Sequence, residues 1–438
     1  MIVDSHGLTT DLLHLYIQSQ KLSTYAVDRH KSLWHAGKTV LDHARVFGSD
    51  PDSPGDLLRL IRTGSARTRG ELVEATGLAR STVAQRIEGL MAAGLIVEIG
   101  GAPSTGGRPP SLLGFNGEAG LVLAADLGAS HSRVIVADLG LNSLAEVEAD
   151  LDIDEGPEIV LGWLIDTFDR LLAEAGRDRG DVLGIGIGVP GPVDFERGVA
   201  VNPPIMAGWH EFRIVDRVRE SFDVPVLVDN DVNIMALGEH WAMEPKVDDF
   251  VFIKVGTGIG SGLILGGRLH RGADGAAGDI GHVQATSSDA ICRCGNQGCL
   301  EASAGGAALA SKLAKLGHDA KRSSDVTDLV EKGNKDAIVA VRDAGRLIGE
   351  VVASLVNLLN PSQIMIGGNI AKAEQHLLAG IREVVYSRST TLSTTNLQIT
   401  GSALGDRSGV TGAAAMAIDY LLRPGNIDRV LEKSAVSS

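Results

Sequence analysis

Cysteine and aromatic residues are scarce in this chain of 438 residues. It has three cysteines, and Phe, Trp and Tyr together make up 4% of it. Three cysteines close together, an odd number, exclude a disulfide framework and favour a reducing compartment. The sequence also lacks a run of 18 apolar residues and a basic–apolar leader. We therefore expect a soluble, cytoplasmic protein without a membrane partner, long enough for two or three domains.

Basic residues are outnumbered, with 40 Lys and Arg against 55 Asp and Glu, and the net charge is −15. Spread evenly, that charge would repel nucleic acid. Residues 55–115, however, contain seven arginines against one aspartate and four glutamates, a net charge of +2, which leaves −17 on the rest. The change of sign predicts a domain boundary and a segment suited to binding nucleic acid.

The three cysteines lie in the stretch 278–301, GDIGHVQATSSDAICRCGNQGCLE. Cys292, Cys294 and Cys299 follow His282, and three thiolates with one imidazole are the ligand set of a closed tetrahedral zinc site. Glycines between the cysteines suit a tight loop around one ion. The alternative is three unrelated buried thiols. We predict a structural zinc site.

Residues 55–115 have the pattern of a winged helix-turn-helix. A short helix after Gly55 is followed by Thr68, which with Glu71 forms a capping-box signature for a second helix. After a turn at Gly77, apolar residues at i, i+4 and i+7 from Val83 predict a third helix. This spacing is that of a helix-turn-helix. A plain three-helix scaffold is the alternative.

The second helix of such a unit enters the major groove of DNA. Two short strands flanking the Gly/Pro-rich segment GGAPSTGGRPP then predict a wing. Side chains of these types serve base edges and phosphates. The predicted DNA contacts are Arg80, Ser81, Thr82, Gln85 and Arg86 on the helix and Arg108 on the wing.

The cysteine segment resembles the signature of the ROK family (repressors, open reading frames, kinases), C-x-C-G-x-x-G-C-x-E preceded by G-[ED]-x-G-H. The resemblance covers roughly residues 120–421, and ROK repressors have a winged domain ahead of it. It implies a two-lobed α/β body of the actin-like, sugar-kinase type with ribonuclease H-like lobes. It also implies a sugar pocket formed by Gly191, Asn230, Asp231, Asp279, His282 and Glu301.

Asn230 and Asp231 follow an apolar strand, where open α/β sheets bind ligands. In ROK kinases the matching pair holds the sugar, and the Asp is the catalytic base. A helix N-cap is the structural alternative for the pair, and both roles can coexist. Asp279 stands where ROK sugar kinases usually have Glu.

Two glycine loops resemble the phosphate loops of the sugar kinase–actin superfamily. The residues implied to contact nucleotide, in a kinase, are Asp126, Gly128, Gly256, Thr257, Gly258, Gly260, Gly367 and Gly368. The first loop departs from the kinase pattern D-x-G-G-T-K, because Ala129, Ser130 and His131 replace its second Gly, Thr and Lys. A Cβ narrows the approach of backbone to phosphate, and losing the Lys removes a charge.

These observations predict a sugar-responsive transcriptional regulator, most simply a repressor of carbohydrate metabolism genes. Its partners would be a double-stranded DNA operator and a sugar or sugar phosphate, and it would act as a homodimer or homotetramer. The rival is an ATP-dependent hexose kinase with a DNA-binding head, using Mg-ATP and Asp231 as base. A sugar-binding module without DNA affinity is a third possibility.

We expect an N-terminal extension of unknown role (1–54) and a winged domain (55–115). A first lobe (116–235, completed by a helix at 405–422), a second lobe with the zinc loop (236–404) and a frayed tail (423–438) would follow.

Overall fold

The computed structural model describes residues 53–101, 111–129, 131–285 and 289–436. The predicted extension up to residue 52 and the wing tip with Arg108 lie outside the described residues.

The head, residues 53–115, begins with three helices, α1 (Pro54–Arg62), α2 (Arg69–Thr76) and α3 (Arg80–Ala92). Capping boxes start α1 at Ser53 and α2 at Thr68. Gly77 ends α2 with φ at 69°, a left-handed conformation that glycine adopts without a steric penalty. The antiparallel strands β1 (Ile96–Gly101) and β2 (Ser111–Phe115) follow the helices.

The first lobe is a five-stranded sheet with the order β5-β4-β3-β6-β9. Its strands are β3 (Leu121–Leu127), β4 (Ser132–Asp138), β5 (Ser143–Ala149), β6 (Val182–Val189) and β9 (Val226–Asn230), and β3, β6 and β9 run parallel. The hairpin strands β7 (Val193–Asp194) and β8 (Val199–Ala200) and the helices α4 (Pro157–Glu174), α5 (Ile214–Arg219) and α6 (Asp231–Ala242) belong to the same part of the chain. The strands are buried on both faces, as their apolar composition requires.

The second lobe repeats the five-stranded plan with the order β12-β11-β10-β13-β14. Its strands are β10 (Phe250–Val255), β11 (Ile259–Leu265), β12 (Arg268–Leu269), β13 (Gln363–Gly367) and β14 (Gln398–Gly401). Its helices are α7 (Leu300–Ala304), α8 (Gly306–Lys315), α9 (Ser323–Glu331), α10 (Lys335–Leu359), α11 (Glu374–Arg388) and α12 (Thr391–Thr394).

The chain passes between the lobes twice, through α6 and through the segment that leads into α13 (Ser408–Leu421). The two helices pack with their backbones in contact, since a Cβ at Gly412 would lie 1.6 Å from the carbonyl oxygen of Ile234. Glu239 of α6 is 1% exposed and accepts hydrogen bonds from the backbone N–H groups of Ala403 and Leu404. Its carboxylate therefore joins one crossing to the other.

The segment expected to be a frayed tail is instead largely helical, which corrects that expectation. Helix α14 (Pro424–Val436) packs on α1 of the head, and Ile427 is fully buried. The N–H of Gly55 donates to Asp428 at 2.8 Å, and a Cβ at Gly55 would lie 2.4 Å from the backbone of Pro424. The helix was missed because its apolar face has no partner within its own segment.

The predicted fold class is confirmed: a two-lobed α/β body follows a small head of three helices and a hairpin. Within the described ranges, no helix combines the length and apolar character needed to cross a membrane.

Candidate functional site

His282 and the three cysteines meet in one cluster, with the candidate ligand atoms all within 4.8 Å of one another. Cys292 Sγ lies 3.6 Å from His282 Nδ1, and Cys294 Sγ lies 3.6 Å from Cys299 Sγ. Zn–S and Zn–N bonds place the ligands of a tetrahedral zinc about 3.5–3.8 Å apart. These four side chains can therefore bind a metal ion, and their spacing and donor types fit zinc.

The loop reaches this geometry through two left-handed glycines, Gly295 (φ 91°) and Gly298 (φ 81°). The N–H of Cys292 donates to the Asn296 carbonyl at 2.8 Å, which closes the turn. A backbone hydrogen bond from Asn296 lowers the pKa of the Cys294 thiol to about 7. Burial raises the pKa of Cys299 to about 12. A bound cation would stabilise the thiolate form of Cys299 that burial disfavours.

Glu301 connects this cluster to the second glycine loop. It lies in α7, two residues after Cys299, and its Oε2 accepts a hydrogen bond from the N–H of Ile259 at 3.1 Å. A Cβ at Gly258 would lie 2.1 Å from the same oxygen. Glycine at this position therefore allows the close approach, and the cysteine loop and the glycine loop hold one another.

Asn230 has the structural role given above as the alternative. Its Oδ1 accepts hydrogen bonds from the N–H groups of Val232 and Asn233 and so caps α6. Its Nδ2 donates to the carbonyl of Gly191 at 2.8 Å, which brings two predicted sugar-binding residues into contact. The cap uses the oxygen and the wall contact uses the nitrogen, so the amide is held in one orientation.

Asp231, the first residue of α6, is paired with a lysine. Its Oδ2 lies 2.5 Å from Nζ of Lys254 on β10, and the Asp231 side chain is 7% exposed. Burial lowers the pKa of Lys254, but the attraction of Asp231 and Asp126 outweighs it, so the pKa is raised. Asp231 and Asp126 therefore share one cationic neighbour.

The first glycine loop joins β3 to β4. The N–H of Gly128 donates to the His131 carbonyl at 2.9 Å, and the His131 ring lies between Glu148, at 2.7 Å, and Asp150, at 2.6 Å. His131 thus contacts carboxylates beside β5, which a lysine reserved for phosphate would not do.

The remaining loop residues lie at the ends of second-lobe strands. Gly256, Thr257, Gly258 and Gly260 lie in and just after the turn between β10 and β11, and Gly367 and Gly368 end β13 beside them. A Cβ at Gly368, where φ is 89°, would lie 2.7 Å from the Val255 carbonyl. Asp279 is exposed, and its carboxylate does not cap the short helix that follows it. Nucleotide contacts and the Asp279–sugar contact remain predictions.

Of the predicted DNA contacts, Arg80, Ser81 and Gln85 are exposed on α3, whereas Thr82 and Arg86 are half-buried. Val83, Ile87 and Leu90 of the same helix are buried in the head core. The helix therefore presents a polar face, and its contacts to DNA remain predictions.

The ROK family model matches residues 122–420, more than half of the chain. The chain belongs to the ROK family. The predicted family is confirmed, and the comparisons with individual ROK proteins divide by how much of this chain they cover.

ROK regulators match the chain beyond the body. It is 33% identical to a xylose repressor of Caldicellulosiruptor bescii, over 84% of this chain and 95% of that one. A solved ROK family transcriptional regulator, described as a homolog of the Escherichia coli MLC protein, matches with a TM-score of 0.75 at 26% identity. It covers 86% of this chain and 98% of its own.

A ROK kinase matches less of the chain. The Streptomyces griseus glucokinase, solved with glucose and AMPPNP, is 28% identical with a TM-score of 0.58. It covers 68% of this chain and 99% of its own. The part of this chain outside that coverage is about as long as the head, which the regulators share.

Three residues of the cleft were missed by the sequence reasoning. Lys254 interrupts the apolar strand FVFIKV, and that lone charge was an available signal. Arg271 donates to the buried carboxylate of Asp229 at 2.8 Å and stacks on Phe195 at 3.7 Å. Nothing in the sequence connects Arg271 to Asp229, because they lie on different lobes, as do the groups that Glu239 joins.

Proposed function

We propose that the protein is a sugar-responsive transcriptional repressor that binds an operator in double-stranded DNA. The observation that carries this proposal is the head, which continues the similarity to ROK repressors over nearly their whole length. A kinase has no need of a helix-turn-helix ahead of its catalytic body.

In this proposal, α3 enters the major groove and the wing reaches the backbone or minor groove. Arg80, Ser81, Gln85 and Arg86 supply base and phosphate contacts, with Thr82 at the edge and Arg108 on the wing. A homodimer or homotetramer would set two heads on a palindrome, with half-sites one or two helical turns apart.

The effector is a sugar held in the cleft by Gly191, Asn230, Asp231, Asp279, His282 and Glu301. Carboxylates and an amide form hydrogen bonds with vicinal hydroxyls and reject analogues that lack them. Relatives named for xylose and for N-acetylglucosamine make these two sugars, with their phosphates, the first to test.

The metal is a structural zinc bound by His282, Cys292, Cys294 and Cys299. It would hold the loop that carries His282 and, through Cys299, the helix that carries Glu301. With Nδ1 facing the cysteines, the other ring nitrogen of His282 is left for the ligand or a neighbouring group.

The parts of this regulator follow the boundaries drawn above: a winged head at 55–115, a first lobe at 116–235 completed by 405–422, and a second lobe at 236–404. Effector binding would favour one lobe arrangement, and α14 on α1 provides a route to the head. Such a regulator works in the cytoplasm, where DNA and incoming sugars meet.

The test is selection of genomic DNA fragments by the zinc-loaded protein, alone and with each sugar of the panel. Enrichment of a palindrome that one sugar abolishes is the expected result. Enrichment no higher than non-specific background at moderate salt would overturn the proposal.

Two head variants and one matched control sharpen this test. Arg80→Ala and Arg86→Ala should each weaken operator binding and reduce the salt slope of log K by about 1. Arg342→Ala removes the same charge from an exposed site in the second lobe and should leave the slope unchanged. Equal effects of all three changes would mean that α3 does not read DNA.

The kinase alternative is tested with a coupled ATPase assay over the same sugars plus hexoses. Sugar-dependent turnover that Asp231→Asn abolishes would establish a kinase. The Asp231–Lys254 pair argues against that outcome, because an ammonium group already occupies the carboxylate of the candidate base.

A further inference from the structure

Lys254 lies at the end of β10 in the second lobe, facing the start of α6. Its Nζ lies 2.5 Å from Oδ2 of Asp231. The side chains are 27% and 7% exposed, respectively. Charges enclosed to this degree are screened little by solvent, so the pair is close to neutral as a unit.

A second carboxylate, that of Asp126, lies close to this pair. It comes from β3 in the first lobe, and its Oδ2 faces Gly409 in the first turn of α13, where a Cβ would lie 1.9 Å from the oxygen. Burial raises the pKa of Asp126 to about 7, the attraction of Lys254 opposes this rise, and the repulsion of Asp231 adds to it. One ammonium group balances one carboxylate, and near neutrality the other keeps a proton about half of the time.

This arrangement does not fit the divalent cation of a phosphate-transferring site. Magnesium takes oxygen ligands, and carboxylates that bind it are ionised and free of competing cations. Here one carboxylate oxygen is held by an ammonium group and the other carboxyl favours its proton. The first glycine loop adds no compensation, since Ala129 and His131 stand where kinases have Gly and Lys.

We propose that Lys254 is a built-in counter-ion that takes the place of a divalent cation in this cleft. Asp231 then serves as an ionised hydrogen-bond acceptor for an uncharged ligand, and it is neither a metal ligand nor a general base. That the ligand is a sugar rests on the proposed function, whereas the exclusion of the cation depends on Lys254, Asp231 and Asp126 alone.

The experiment measures Mn²⁺ binding to the zinc-loaded, full-length protein from the loss of the free-ion signal in electron paramagnetic resonance. The wild type and the charge-retaining variant Lys254→Arg should show no site that depends on Asp231. Lys254→Met removes the charge and should gain one Mn²⁺ site, with affinity at least about tenfold above any wild-type binding. Adding Asp231→Asn to Lys254→Met should abolish the gain.

Two outcomes would overturn the proposal. One is Mn²⁺ binding by the wild type that Asp231→Asn removes, which does not depend on the folding of any lysine variant. The other is the absence of a gain in both Lys254→Met and Lys254→Gln while their circular dichroism and zinc content match the wild type. Neither readout uses DNA or sugar, so failure here is distinguishable from failure of the proposed function.

Discussion

Replacing Glu239 by Ala tests the connection between the two crossings of the chain. The carboxylate is 1% exposed, and its oxygens accept from the N–H groups of Ala403 and Leu404, each at 3.1 Å. The hydroxyls of Ser402 and Ser408 also donate to it. Four donors on one buried carboxylate make this the best-satisfied acceptor at the junction.

The magnitude follows from what each donor can do after the change. The two hydroxyls lie 3.2 Å apart and can pair with one another, so they lose little. The N–H groups of Ala403 and Leu404 lose a charged acceptor, which contributes about 1.5–3 kcal/mol per hydrogen bond. Because Ala403 is exposed and can be hydrated, the lower end applies to it. The expected cost is about 3 kcal/mol, or about 100-fold in a local opening constant.

Hydrogen exchange of segment 402–408 is the suitable assay, because a multidomain chain does not guarantee two-state unfolding. Glu239→Ala should accelerate exchange in this segment about 100-fold. Glu239→Gln keeps an acceptor oxygen and should show a smaller effect. Glu174→Ala, at an exposed glutamate of α4, is the control and should change nothing there. Protection of 402–408 within about threefold of the wild type in Glu239→Ala would refute the reasoning.

Three further predictions concern the cluster, the cleft and the head. Cys299→Ser should lower zinc affinity at least tenfold (roughly), measured by metal content after dialysis against a weak chelator; full retention would contradict the ligand set. Asp126→Asn should raise the melting temperature relative to wild type at pH 8 but not at pH 5. The folded carboxyl has a pKa of about 7, so its stabilising contribution is present when it is protonated and is lost as pH rises through 7; a pH-independent difference would contradict this. Ile427→Ala should cost about 2–4 kcal/mol where α14 docks on α1, seen as faster amide exchange in α14, and unchanged protection there would contradict the docking.

The parts of this protein that the sequence by itself determined are those with short-range physical causes. Capping boxes at Thr68 and left-handed glycines such as Gly77 are local, so helix starts and turns could be predicted. His282 and the cysteines lie within 18 residues of chain, and their donor types alone indicated a metal cluster. The ROK family followed from the same segment and is confirmed.

Contacts between distant segments were decided by the tertiary structure. Lys254 meets Asp231 across 23 residues, and Asp229 meets Arg271 across 42, because two separate sheets bring their strand ends together. The final helix could not be predicted, because its burial depends on α1, which lies more than 350 residues away. Spacing along a chain predicts local hydrogen bonds and periodic faces, whereas charge pairing across a cleft depends on how the lobes pack.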